Sequence, residues 1–163
     1  MRVYGFAFTR RNISAQTLYG VEGLDHRTLL WGVASIDRFV SKLLKDQPDY
    51  ILGMGIYGGR DREHIRIETT CFNKFRRKEI MPGAPEQFDI PYFVQPTEIS
   101  ILTKSIGNSW CNLVSWKITE QIMRGDLKSK FTFLHLPKRM DVEITTKQLN
   151  YLVKQIPVLV QSP

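Results

Sequence analysis

The chain has 163 residues, 42% of them apolar and 24% charged, with 9 Phe, 6 Tyr and 3 Trp; this composition excludes a disordered chain and suits one domain over 1-163 with its own core. The longest apolar runs fall far short of the ~20 residues that a membrane span requires, and the opening residues lack the long apolar run of a signal peptide, so a cytoplasmic protein with no membrane partner is expected. The net charge of +7 raises nucleic acid as a partner, but no recognition motif frames Lys74-Phe75-Arg76-Arg77-Lys78, Arg10-Arg11 or Lys138-Arg139, and such clusters are read first as solvated surface.

Arg2 to Phe8 predicts a first strand. From Arg27 to Lys45, Leu29, Val33, Ile36, Val40 and Leu43 recur at helical spacing and Pro48 closes the segment. Tyr50 to Gly53 predicts a short buried strand running into a glycine-rich turn, Gly53 to Gly59. His64 to Thr70 alternates, with Ile65 and Ile67 on one face and His64, Arg66, Glu68 and Thr70 on the other.

Lys78 to Pro96 holds four prolines and predicts loop. Glu98 to Thr103 predicts a strand, and Asn108 to Arg124 a helix that Gly125 stops. Lys130 to Leu134 predicts another strand. A last helix, Thr146 to Ile156, carries Leu149, Leu152, Val153 and Ile156 on one stripe and ends at Pro157. Strands alternating with helices imply an α/β/α sandwich in three layers, its central sheet mostly parallel or mixed. Chemistry in such sheets gathers at the carboxyl ends of the strands.

Gly53-Met54-Gly55-Ile56-Tyr57-Gly58 fits G-x-G-x-x-G after a strand. A dinucleotide site also needs a helix directly afterwards to receive the pyrophosphate, and the next segment alternates like a strand. The glycines are therefore read as letting backbone approach a site closely. Two cysteines and three histidines, without CxxC or HxxxH spacing, argue against a zinc site. No metal or organic cofactor is expected.

Cys111 is more informative. The turn Ser105-Ile106-Gly107-Asn108-Ser109-Trp110-Cys111-Asn112 joins a strand to a helix and puts the thiol in the first helical turn. Unpaired N–H groups there favour a thiolate and can hold an oxyanion; the alternative is a small buried apolar residue. His135, after Phe131-Thr132-Phe133-Leu134, can serve that thiol as general base and then as acid to a leaving amine, or be structural. Glu68 can hold the far imidazole nitrogen, or pair with a cation such as Arg66. Cys71 has no reading beyond packing.

Together these segments resemble the pyroglutamyl peptidase I family of cysteine peptidases. The carriers are Gly107-Asn108-Ser109-Trp110-Cys111-Asn112, Phe133-Leu134-His135-Leu136-Pro137, Gly58-Gly59-Arg60 followed by Ile67-Glu68 and Asn73, and the opening Val3-Tyr4-Gly5-Phe6. They occur in the family's order across nearly the whole chain. The resemblance implies a Cys111–His135–Glu68 triad, a peptide with an N-terminal pyroglutamate as substrate partner, and an α/β fold compatible with a homo-oligomer. It also implies that Phe6 forms one wall of the pyroglutamyl pocket, with Phe8 as the candidate substitute for the family's second Phe, and that Lys78, ten places after Glu68, stands where the family has an assisting Arg.

Three departures accompany this. Thr9 occupies the place of the family's second Phe, Lys78 lacks the guanidinium fork, and the chain is short between Glu68 and Cys111, where a helix is missing. The implied function is a pyroglutamyl exopeptidase. The alternatives are a hydrolase of other lactams or amides and a catalytically silent module binding an acidic partner through Lys74 to Lys78.

Overall fold

A computed structural model describes residues 1–9, 12–59, 63–104 and 106–154. In chain order these form β1 (Val3–Phe8), α1 (Ile13–Gly20), β2 (His26–Leu30), α2 (Val33–Asp46), β3 (Tyr50–Tyr57), β4 (Ile65–Glu68), β5 (Thr70–Phe72), β6 (Gln87–Asp89), β7 (Ser100–Thr103), α3 (Trp110–Met123), β8 (Lys130–Pro137) and α4 (Val142–Lys154). Six strands make one mixed sheet in the order β2-β1-β3-β8-β4-β7, and β5 and β6 pair separately. β2, β1, β3 and β8 run parallel; β4 opposes β8 and is parallel to β7.

Strand alternation sorts the core into two layers, one on each side of the sheet. Phe6, Phe8, Ile51, Phe131 and Phe133 pack with Ile36, Phe39 and Leu43 of α2 and with Leu113, Val114 and Trp116 of α3. Val3, Ala7, Leu52, Met54 and Leu134 pack with Leu18 of α1 and with Leu149 and Leu152 of α4. The expected α/β/α layering is therefore the architecture observed. Both faces of the central strands are covered, which explains why β1 is buried throughout and alternation is hard to see in its sequence. Among the described residues no helix is long and apolar enough to cross a membrane.

Several element boundaries differ from the sequence expectation, each for a tertiary reason. The helix expected from Arg27 starts only at Val33, because His26–Leu30 pairs along β1 from Tyr4 to Phe8. The break falls at Gly32, where Ser35 Oγ accepts from the Trp31 and Gly32 N–H groups. The expected turn from Gly53 is instead strand as far as Tyr57, paired with β8 up to Pro137. The segment expected to be loop from Lys78 to Pro96 contains β6.

Apolar spacing gives no sign of α1, whose buried residues include Ser14 and Thr17. It is started by Asn12, whose side chain accepts from Ala15 N–H. α4 begins earlier than expected, capped by Asp141 Oδ1 on the Glu143 and Ile144 N–H groups; its expected end at Ile156 and Pro157 lies outside the described residues, as do Arg10, Arg11, Arg60 and Ser105. Gly125, at φ 80°, does follow α3, where a left-handed residue is needed to turn the chain away.

Candidate active site

β8 runs past Leu134 to Pro137, so His135 lies within the strand rather than beyond it. Alternation turns it to the same side as Phe131 and Phe133. On the neighbouring antiparallel strand β4, Arg66 registers with His135 and Glu68 with Phe133. Glu68 can therefore reach diagonally, and His135 Nδ1 donates to its Oε1 at 2.7 Å. Both side chains are almost wholly buried, at 5% and 0% exposure.

On the other side of β8, Gly55 of β3 registers with His135. A Cβ placed on Gly55 would fall 2.7 Å from Cys111 Sγ and 3.1 Å from His135 Cδ2. The thiol and the imidazole thus meet over a position that admits no side chain, close enough for Cys111 to favour the protonated imidazole. Gly53, one step back on the same face, is held to glycine by the Phe6 and Phe133 rings. The G-x-G pattern follows from this crowding, and a strand, β4, comes next instead of a nucleotide-binding helix. Gly55→Ala is expected to cost about 1–3 kcal/mol of stability by overpacking. It should also separate Sγ from the imidazole, a loss checked as slower alkylation of Cys111 in a variant still folded by its melting curve.

Cys111 is the second residue of α3 and is 8% exposed. The chain enters the helix through Gly107 at φ 80°, a conformation that a Cβ would strain. Ser109, the N-cap, makes no side-chain capping bond, so the cap itself does not occupy the first-turn N–H groups, which a helix leaves without internal partners. Asn112 fixes the turn from behind. Its Oδ1 accepts from Phe72 N–H at 2.8 Å, and its Nδ2 donates to the Phe72 and Lys74 carbonyls. Asn73 in turn holds the following loop through Ile80, Met81 and Ala84. Arg76, at φ 58°, is clamped to Asn108 through two hydrogen bonds.

Burial pushes the His135 imidazole toward its neutral form, but hydrogen bonds to Cys111 and Glu68 outweigh it and raise the pKa from 6.5 to about 9. The raised pKa favours the imidazolium at neutral pH, a form suited to stabilise a thiolate and to hold a proton for delivery. Cys71 is different. Burial pushes its thiol up to about 12, so it is inert packing at neutral pH.

The residues expected to bind substrate are placed unequally. Phe6 has no exposed surface and packs against Phe8, Phe39, Phe131 and Phe133, so it shapes the site from beneath rather than walling an open pocket. Phe8 is 9% exposed and meets the Phe133 ring at 6.5 Å; Phe133 in turn stands edge-on to His135 at 5.1 Å. Thr9 is exposed, at φ 50°. Lys78 is exposed and lines a cleft of about 640 Å³ with Val33, Arg76, Arg77, Leu113 and Lys117.

Two neighbours of His135 carried no motif. The Tyr57 ring lies 6.3 Å from the imidazole, and the Arg66 guanidinium sits 3.7 Å above that ring. Alternation in β4 puts Arg66 on the Glu68 face, but nothing local reveals that β8 brings His135 opposite. Between Glu68 and Trp110 the described residues contain no helix.

No protein-family model matches the sequence, and no curated protein matches it. Solved structures do match. Pyroglutamyl peptidase I from Bacillus amyloliquefaciens superposes with a TM-score of 0.82 at 17% identity, over 96% of this chain and 95% of that one. A variant of the pyrrolidone carboxyl peptidase from Pyrococcus furiosus gives 0.77 at 15% identity, over 97% and 99%. A second structure of the Bacillus amyloliquefaciens enzyme gives 0.79 at 16% identity, over 98% and 97%. The chain has the fold of these peptidases over almost its full length.

Proposed function

We propose that the chain is a cysteine exopeptidase that releases an N-terminal pyroglutamyl residue. The observation that carries this reading is the convergence of Cys111, His135 and Glu68 over Gly55, in a fold shared with pyroglutamyl peptidases. The Cys111 thiolate attacks the pyroglutamyl carbonyl carbon, and the developing oxyanion faces the first-turn N–H groups of α3. His135 gives its proton to the departing amine nitrogen as the C–N bond breaks. Water then adds to the thioester with His135 accepting its proton, and the thiolate leaves. Glu68 holds Nδ1 throughout, which fixes the tautomer and steadies the imidazolium.

The apolar surroundings favour a neutral lactam, since an unpaired N-terminal ammonium is costly to bury. The free thiols Cys71 and Cys111 suit a reducing, cytoplasmic setting. The test is release of aminocoumarin from its pyroglutamyl amide, with mass spectrometry of the enzyme during turnover. Coumarin release with a pyroglutamyl adduct on the Cys111 peptide is expected. Absence of both would remove the assignment.

A further inference from the structure

Arg66 is a cation beside the proposed chemistry, and the triad mechanism gives it no task. Its place is set by the sheet, because β4 registers it directly against His135. Its guanidinium lies 3.7 Å over the Tyr57 ring, and that ring lies 6.3 Å from the imidazole. Gly59 packs so closely on Tyr57 that a Cβ there would fall 2.0 Å from the ring carbon bearing the hydroxyl. The ring is hemmed in, and stacking on it holds the guanidinium in place beside the site.

The guanidinium is also short of partners. Nε and Nη1 are buried and make no hydrogen bond. The acid two residues along the same face, Glu68, is engaged with His135. Withdrawing charged donors from water without an acceptor is unfavourable, and an anionic oxygen is the acceptor that best offsets the cost. Arg66 as a residue is only half-buried, so part of the side chain remains open to an incoming group.

The direction of the reaction tells which part of a substrate arrives there. His135 must protonate the leaving nitrogen, so the leaving group lies over the imidazole, next to the Tyr57–Arg66 wall. The nearest carboxylate that a leaving amino acid can carry is the one on the carbon bonded to that nitrogen. We propose that Arg66 recognises the free α-carboxylate of the leaving residue, so that the preferred substrates are acyl-amino acids with a neutral acyl end and not longer peptides. This rests on the hydrolase reading above and names its leaving-group specificity.

The experiment compares pyroglutamyl-alanine with pyroglutamyl-alanine amide, which differ in the carboxylate alone. Wild type should favour the acid by about tenfold or more in kcat/KM, as expected when a charge-assisted pair is exchanged for a neutral one. Arg66→Gln should turn over both alike, and Arg66→Lys should keep part of the preference. A second measurement needs no substrate: the ratio of Cys111 alkylation rates by iodoacetate and by iodoacetamide should fall about fivefold or more in Arg66→Gln when the paired cation is removed. Cys71, with its thiol pushed up to about 12, stays silent in that assay.

Equal turnover of acid and amide by wild type overturns the proposal. If neither is hydrolysed but the alkylation ratio depends on Arg66, the anion site stands and the pyroglutamyl reading fails. If neither is hydrolysed and the ratio is unchanged, both fail. Should Arg66→Gln lack a melting transition, Arg66→Lys decides: a reduced acid preference or alkylation ratio supports the assignment, and unchanged values overturn it.

Discussion

Cys111→Ala is expected to lower kcat/KM on the pyroglutamyl substrate by on the order of 10⁴-fold or more, because no covalent intermediate can then form. The protein should nonetheless fold. Cys111 is 8% exposed, and the substitution removes one atom and its contact with the imidazole, a cost of about 1–2 kcal/mol. Cys111→Ser keeps the shape but replaces the thiol with a hydroxyl that the imidazole cannot ionise at neutral pH, so it should be nearly as inactive. Turnover and melting curves of the three proteins, measured together, separate loss of chemistry from loss of fold. A folded Cys111→Ala protein with turnover near wild type would refute the nucleophile assignment.

The three residues of the proposed triad are legible in the sequence because each sits in its own local signal. Gly107 and the helix start mark Cys111, the Phe-rich strand marks His135, and alternation marks Glu68. Their meeting depends on β8 lying between β3 and β4, which no local pattern encodes. The same dependence explains the misread elements. His26–Leu30 joins a helical apolar stripe at Leu29, yet pairing with β1 takes it as an edge strand.

Gly53 and Gly55 look like a turn until Phe6, Phe133 and Cys111 are found pressing on them. Phe6 illustrates a further limit. The resemblance supplies a residue and a role, but burial is decided by α2, whose Phe39 closes over the ring at 5.2 Å. Arg66 is visible only as a member of the Glu68 face, and what makes it a candidate for function is the Tyr57 ring brought beside it from another strand.

Glu68→Gln is the second change with a large expected effect, and its consequences run through pH. In the folded protein the His135 pKa is raised from 6.5 to about 9: burial alone would lower it, and bonds to Cys111 and Glu68 prevail. A raised basic pKa means that the folded state binds the proton more tightly than the unfolded chain. The resulting stability is complete below pH 6.5 and disappears as pH rises through about 9. At 1.36 kcal/mol per pH unit this amounts to about 3 kcal/mol.

Activity should follow the same proton, because the imidazolium must supply it to the leaving amine. Wild-type kcat/KM is therefore expected to fall on an alkaline limb near pH 9. Glu68→Gln removes the buried carboxylate that favours the cation. The alkaline limb should move to lower pH, the drop in melting temperature between pH 6.5 and 9.5 should shrink, and kcat/KM should fall by on the order of 10³–10⁴-fold as the imidazole loses its fixed tautomer. Melting curves and pH–rate profiles of the two proteins test this jointly. An unmoved limb in Glu68→Gln would mean that Cys111 alone holds the His135 proton, and the carboxylate would then be a structural partner of the ring without influence on its charge.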